Sequence, residues 1–335
     1  MHMIDCKLSI IIVSYNTKTL TLQALKSSVK AINSTKILQN RTEIFVVDNH
    51  SQDNSAQACT DLLQKLHFPH YKILANRKNL GFAQANNQAI KIARGKYILL
   101  LNSDVIVHKE SLKLLVTAME NNEIAERTAN LVSSQAFDKL GILSATLLNP
   151  DGSIQNQGGS LPSLGTITAQ MLFLDDIPFL GRFFPSTQHT GMSDFAFATY
   201  DENTPTLISQ GWVAGTAMLL RHELIDNIGL LDGNIFMYGE DQEYCIRARN
   251  HHWDVAIHPK AKITHFGSAS SSSRNAILGE FKGYLYIFKK HMPTWQLPIL
   301  KFVLYLGALL RQIIYTLGGQ KEPAAIYREA KSLLK

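Results

Sequence analysis

The sequence predicts an α/β fold in which a mostly parallel central sheet is flanked by helices and followed by a C-terminal helical extension. Three observations carry this reading. From Leu8 to about Leu148, short β-branched or aliphatic runs alternate with longer polar stretches of helical length, the rhythm of βα units. Runs such as Ile10-Ile11-Ile12-Val13 are apolar without alternation, as a parallel strand covered on both faces requires. Polar clusters stand at the ends of these runs, where open α/β sheets bind their ligands.

Taken in order, the strands fall at Leu8–Ser14, Glu43–Asp48, Lys72–Ala75, Tyr97–Asn102 and Ile142–Leu148, with helices between them at Leu20–Val29, Ser55–Leu66, Ala83–Ala93 and Ser111–Glu120. Residues 150–210 hold Asp151-Gly152, Gly158-Gly159 and scattered prolines around one apolar patch, Met171–Leu174. That composition reads as a loop-rich lid. A strand at Val213–Leu220 follows, then a short helix ending near Gly229, a helix at Asp241–Asn250, and strands near Val255–Ile257 and Ile263–His265. Residues 1–270 thus form one domain, divided into 1–148, 150–210 and 211–270, and residues 271–335 form a basic amphipathic helical tail.

Composition narrows the class. With 335 residues, 45% of them hydrophobic and 18% charged, the chain can bury a large core and is neither disordered nor, with 20 Gly and 10 Pro, collagen-like. The cysteines, Cys6, Cys59 and Cys245, form no C-x-x-C pair, so neither a disulfide framework nor a thiolate zinc site is expected. The first apolar run, Leu8–Val13, is too short for a signal-peptide core, and a reducing cytoplasm is the expected setting.

The net charge of +6 is unevenly spread: residues 274–335 hold 10 Lys/Arg against 3 Asp/Glu, the rest 23 against 24. Such an end suits an anionic partner, nucleic acid or an acidic membrane surface. Its central run, Leu297–Leu317, is strongly apolar but interrupted by Pro298, Lys301, Arg311 and Gln312. Spanning a bilayer takes about 20 apolar residues, so an interfacial helix with snorkelling Lys and Arg is expected, with a helix packed onto the catalytic domain and free of lipid as the alternative. No nucleic-acid reading motif is present, which leaves the membrane surface as the expected partner.

The polar clusters that carry chemistry are Ser14-Tyr15-Asn16, the run Asp48 to Asp53, and Asn102-Ser103-Asp104. No G-x-G-x-x-G follows the first strand and no G-x-x-x-x-G-K-[ST] occurs, which disfavours dinucleotide oxidoreductases and P-loop NTPases. A divalent metal on Asp104 is then the expected way to hold phosphates, because Mg²⁺ takes one or two carboxylates plus substrate phosphates. Later come Trp212, Tyr238-Gly239-Glu240-Asp241 and His265. An acidic pair opening a helix is also what its N-terminus favours on electrostatic grounds, so position alone leaves Glu240 and Asp241 open between capping and chemistry.

In this order, over about residues 8–270, these residues resemble the inverting family 2 glycosyltransferases of the GT-A fold, and in particular their rhamnosyltransferase-like branch. The resemblance rests on Ser14-Tyr15-Asn16, Val46-Val47-Asp48-Asn49 with Ser51, Asp53 and Ser55, Asn79-Leu80-Gly81-Phe82-Ala83 with Asn86-Asn87, Leu101-Asn102-Ser103-Asp104, Trp212 with Gly215, Tyr238-Gly239-Glu240-Asp241, and His265. It implies that Asp48 contacts the nucleobase or ribose, that Asp104 is the metal carboxylate of an Asp-x-Asp element written here with Asn102 first, and that His265 stands near the diphosphate or its metal. Asp241 is implied as catalytic base, with Glu240 supporting it or binding donor-sugar hydroxyls. Ser14, Tyr15, Asn16, Asn79, Gly81, Asn87, Asn102, Ser103 and Trp212 are implied around the donor. The resemblance further implies Mg²⁺ or Mn²⁺ as cofactor and a nucleotide-sugar substrate, dTDP-L-rhamnose before a UDP-hexose or UDP-N-acetylhexosamine, with an inactive nucleotide-sugar-binding scaffold as the alternative. A hydroxyl of a polysaccharide or lipid-linked glycan would accept the sugar, at the inner face of the cytoplasmic membrane.

Overall fold

The computed structural model describes residues 5–128, 138–179, 181–188, 207–267 and 273–334. Four parallel strands open the fold: β1 (Leu8–Ser14), β2 (Thr42–Asp48), β3 (Tyr71–Ala75) and β4 (Tyr97–Asn102). Helices α1 (Lys18–Asn33), α2 (Ser55–Lys65) and α3 (Gly81–Ile90) connect them. β1, β2 and β4 bury both faces, as their unbroken apolar runs require. Then come β5 (Val105–Val107), α4 (Ser111–Thr128), β6 (Leu140–Leu148), β7 (Gly158–Gly159), α5 (Leu164–Met171), β8 (Ile208–Ser209), β9 (Trp212–Val213), β10 (Ala217–Arg221), α6 (His222–Ile228), α7 (Glu240–Asn250) and β11 (Asp254–His265). The main sheet runs β3-β2-β1-β4-β10-β6-β11-β5, with β8 paired to β11. β10 is antiparallel to both neighbours, and β6 and β11 are parallel.

Three expectations change. The single strand expected at Val213–Leu220 is two, because the chain leaves the sheet at Ala214-Gly215-Thr216, where the Gly215 N–H donates to the Asp241 carboxylate at 3.1 Å. The two short strands expected near Val255 and Ile263 are one, with the register shifting between His258 and Lys262, around Pro259, which has no N–H to give the ladder. Residues 150–210 contain helix α5, capped reciprocally by Ser163 and Thr166. Their described parts pack as a wall, since Trp212 Nε1 donates to the Thr187 carbonyl at 2.7 Å; residues 189–206 of the expected lid lie outside the described residues.

The C-terminal extension is three helices, α8 (Ser273–His291), α9 (Gln296–Leu317) and α10 (Lys321–Ser332). They share a core with α5 in which Phe281, Tyr284, Phe288, Leu300 and Leu304 are buried. Arg311, expected to reach outward from the apolar helix, turns inward: its guanidinium donates to the carbonyls of Met171 and Gln170, at 2.7 and 2.8 Å, at the C-terminal end of α5. The opposite face of α9 is apolar and exposed, with Phe302 at 62% and Leu317 at 85% accessibility.

Candidate active site

The C-terminal ends of β1, β2 and β4 open onto a hollow of about 140 Å³ lined by Tyr15, Asn49, Asn79, Gly81, Ser103 and Asp104 among others. Its floor is a knot of amides. Asn49 receives N–H groups from Asn76 and Leu80 and donates to Asn79 Oδ1 at 2.8 Å. Gly81, at φ +80°, lies where a Cβ would stand 2.3 Å from the Phe236 carbonyl, so only glycine lets the loop before α3 meet the one before α7. Beside the knot Asp48 is 6% exposed, and its Oδ1 is buried without a hydrogen-bond partner.

Antiparallel pairing of β11 with β5 sets His265 opposite Val105, next to Asp104. The His265 Nε2 lies 3.4 Å from Asp104 Oδ1. On the other side of the ring, Nδ1 lies 2.6 Å from Gln155 Oε1, and Gln155 is oriented by its own Nε2 donating to Asn149 at 3.0 Å. Nδ1 therefore carries the proton in the neutral ring, and the Nε2 lone pair faces a carboxylate oxygen. Two acceptors at that distance call for a proton or a cation.

Asp104 and Asn102 also line a second, larger space of about 630 Å³ bounded by Trp212, Gly215, Glu240, Asp241 and His265. Tyr238 and Gly239, both at positive φ, turn the chain sharply so that α7 begins with Glu240 and Asp241 facing this space. Burial pushes both carboxyls above the usual range, and Asp241's charge raises Glu240 further. Their surroundings then part them. Asp241 accepts the N–H groups of Gly215 and Gln242, at 3.1 and 2.8 Å, whereas Glu240 Oε2 is buried without a partner. The pair's first ionisation accordingly falls on Asp241 and the proton stays on Glu240.

Comparison with known proteins shows what this chain is similar to. The family model for "Glycosyl transferase family 2" matches residues 9–135, the stretch from β1 past Asp104 that builds the hollow. Over this stretch the chain resembles glycosyltransferase family 2, and it is a glycosyltransferase. It is 23% identical over 270 residues to N-acetylglucosaminyl-diphospho-decaprenol L-rhamnosyltransferase of Mycobacterium tuberculosis, covering 76% of this chain and 78% of that one. It is also 23% identical over 252 residues to the low-salt glycan biosynthesis hexosyltransferase Agl10 of Haloferax volcanii, covering 74% and 63%. Among solved structures, the Pyrobaculum calidifontis mannosyltransferase PcManGT, in complex with GDP-Man and Mn2+, superposes at TM-score 0.55 with 14% identity over 98% of this chain and 84% of that one. GalNAc-T7 with UDP, GalNAc and Mn2+ superposes at 0.57 with 15% identity, over 85% and 48%. The glycosyltransferase has the GT-A fold.

In this glycosyltransferase the cleft gathers Tyr15, Asn79, Gly81, Asn102, Ser103, Asp104, Trp212, Glu240, Asp241 and His265. Three residues expected around the donor are engaged elsewhere. Ser14 is fully buried among the hydroxyls of Thr17 and Thr21. Asn16 ties two loops, its amide oxygen accepting the Gln52 N–H at 2.7 Å. Both ends of the Asn87 amide are spent on the backbone of Leu231, so it anchors the loop before α7. Gln155, which orients His265, gives no sign in the sequence because its role arises only when the loop after β6 folds beside β11.

Among the described residues no group of three or more His, Cys, Asp or Glu side chains is placed to hold a metal by itself, so the protein offers a divalent cation at most two side-chain ligands here, to be completed by the diphosphate. Asp104 and His265 supply one carboxylate oxygen and one imidazole nitrogen facing each other, and the larger space is lined by four carboxylates with no Lys or Arg among the described residues. A diphosphate entering such a site needs a counter-charge brought with it.

Proposed function

We propose that the enzyme transfers a sugar from a nucleoside-diphosphate donor to a hydroxyl of a glycan acceptor with inversion at the anomeric carbon, Asp241 acting as general base. The observation that carries this is the divided pair. Two buried carboxyls with raised pKa values share one space; Asp241 accepts the Gly215 and Gln242 N–H groups, while Glu240, though also met by backbone N–H groups, keeps one buried oxygen without a partner and is raised further by Asp241. Asp241 takes the proton of the acceptor hydroxyl as its oxygen attacks the anomeric carbon; the bond from that carbon to the diphosphate oxygen breaks on the opposite face. Base assistance of this kind contributes about 10²–10⁴-fold. The protonated Glu240 is a hydrogen-bond donor to a sugar hydroxyl, which also satisfies its orphaned oxygen.

Asp48, with a buried oxygen awaiting a donor, accepts from the base or ribose, and the amide knot around Asn49 holds the hollow in shape. Asp104 and His265 would hold Mg²⁺ or Mn²⁺, which when bound offsets the charge growing on the departing diphosphate. Likeness to the mycobacterial rhamnosyltransferase over most of both chains favours dTDP-L-rhamnose as donor; likeness to the archaeal hexosyltransferase supports a UDP-hexose or UDP-N-acetylhexosamine as the second reading. The acceptor reading is a polysaccharide or lipid-linked glycan.

Helix α9 is long and apolar enough to cross a membrane, but one face packs on α5, α8 and α10. Its free face carries Ile299, Phe302, Leu310, Ile313 and Leu317, at steps of three, eight, three and four residues, on the extension that carries the chain's basic excess. That pattern supports shallow insertion into an anionic cytoplasmic leaflet, peripheral and without spanning it.

The deciding experiment is a donor panel of dTDP-L-rhamnose, UDP-glucose and UDP-N-acetylglucosamine with Mg²⁺ or Mn²⁺ and a glycolipid extract as acceptor, read as nucleoside diphosphate release. One donor is expected to stand out. Release from none of them would overturn the reading.

A further inference from the structure

Beyond the catalytic pair, the larger space has a wall that the family match at residues 9–135 does not reach. It comes from α8, through Ala276, Ile277 and Glu280. Glu280 is held with unusual care for a cavity side chain. Its Oε1 is met by Gln170 Nε2 at 2.9 Å, Gln188 Nε2 at 3.1 Å and the Tyr284 hydroxyl at 3.1 Å. All three are neutral donors, so among the described residues the charge is positioned without being paired. With Oε1 enclosed by these groups, Oε2 remains to accept from whatever fills the space.

The same helix is registered on the catalytic turn. A Cβ on Gly279 would stand 2.4 Å from the Tyr238 ring, and one on Gly283 would stand 2.7 Å from the Tyr238 carbonyl. Two turns further on, Lys290 Nζ and His291 Nε2 reach the fully buried Glu243 of α7 at 2.7 and 3.0 Å. Tyr284 also meets the side chain of Gln242, the neighbour of Asp241. The placement of α8 against the catalytic turn is therefore fixed by backbone contact and by ion pairs between the C-terminal end of α8 and the first turn of α7.

We infer that α8 forms the acceptor subsite and that Glu280 recognises neutral sugar hydroxyls there, excluding acceptors with a carboxylate at that position. This rests on the transferase reading, in which the nucleophile must lie against Asp241 and so beside this wall. Hydroxyl donors to a fixed carboxylate form charge-assisted hydrogen bonds. A sugar carboxylate would meet the charges of Glu280 and Asp241 in a space lined by no Lys or Arg among the described residues, and like charges brought together in a desolvated site are strongly disfavoured.

The test uses the full chain with saturating UDP or dTDP and Mn²⁺, and octyl β-D-glucoside and octyl β-D-glucuronide as probes, read by saturation-transfer NMR. Wild type is expected to bind the glucoside and to exclude the glucuronide by at least about 10-fold. Glu280→Ala should lose most of the glucoside signal, and Glu280→Gln, which keeps the shape and removes the charge, should admit the glucuronide. Circular dichroism on each variant reports folding, and Glu280→Gln answers the question if the alanine variant melts early. No glucoside binding by wild type, equal binding of both probes, or a Glu280→Gln variant with unchanged preference would each overturn the inference. The donor panel fails separately, through absent nucleotide release, so the two readings are not confounded.

Discussion

The two sides of the cleft are built on opposite principles. On the side of β1, β2 and β4, most polar groups are satisfied by one another, Asn49 with Asn79, Asn16 with Gln52, Ser14 with Thr21, and among the described residues the buried oxygens left without a partner there are those of Ser28, Asp48 and Asn86. On the side of α7 and α8, charges are held in costly surroundings, with two buried carboxyls side by side, two consecutive residues at positive φ and a Glu280 met only by neutral donors among the described residues. A satisfied network makes a rigid mould for a ligand of fixed shape. Stored electrostatic cost makes reactivity, and it persists only because packing from α8 allows the turn no other position.

The strongest way to break this contrast is to remove the reactive charge. Asp241→Asn keeps the shape and loses the proton acceptor, so turnover should fall by about 10²-fold or more while affinity for the nucleoside diphosphate changes little. Steady-state nucleotide release alongside calorimetric nucleotide titration would check it. A variant near wild-type turnover would move the base elsewhere.

A second, smaller effect concerns the seam between the sides. Asp104→Ala should abolish the dependence of nucleotide affinity on Mn²⁺, and EDTA should reproduce this in wild type. Gln155→Ala leaves both metal-facing atoms in place but frees the His265 ring, and loss of such an outer partner costs about 10–100-fold in metal affinity. Full activity in EDTA would remove the cation from the site.

The contrast also explains what the sequence discloses. The first side is legible because its residues are near one another in the chain and sit at strand ends: Asp48, Asn49, Asn79 and Asp104 follow runs whose apolar character announces β2, β3 and β4. The second side is legible only in Glu240 and Asp241. Gly215 breaks an apolar run because it must reach Asp241, and Gln155 acquires its role from a loop folded against β11. The extension reads as a basic amphipathic tail since its charges are visible and its partners are not. Arg311 and Lys290 face inward, toward α5 and α7.

A third expected effect separates the extension's inner and outer faces. Phe302→Glu with Ile313→Glu changes only the free face of α9, and binding to phosphatidylglycerol vesicles should drop about 10-fold or more with the melting temperature preserved, since exposed apolar side chains contribute little to folding. Cosedimentation in low and high salt would measure it. Truncation before α9 is a poor substitute, because it uncovers Phe281 and Phe288. Unaltered vesicle binding by the double variant would separate the membrane from this face.

The smallest effect tests whether the catalytic side really bears a cost. Glu240 is raised above its ordinary value of 4.5, burial being the main cause and Asp241 the next. A group that binds its proton more tightly when folded contributes stability that is fully present below the unfolded value and is lost as pH rises through the folded one. Wild type should therefore lose stability from about pH 5 upward through neutrality by this route. Glu240→Gln carries a permanent neutral amide, so its melting temperature should match wild type at acid pH and exceed it by a few degrees at pH 9, the gap opening across that interval. Thermal melts at single-unit pH steps would trace it. A gap of constant size would mean that Glu240 is not the group whose ionisation strains the site, and a gap closing toward alkaline pH would reverse the sign of the argument and assign the proton to Asp241 instead.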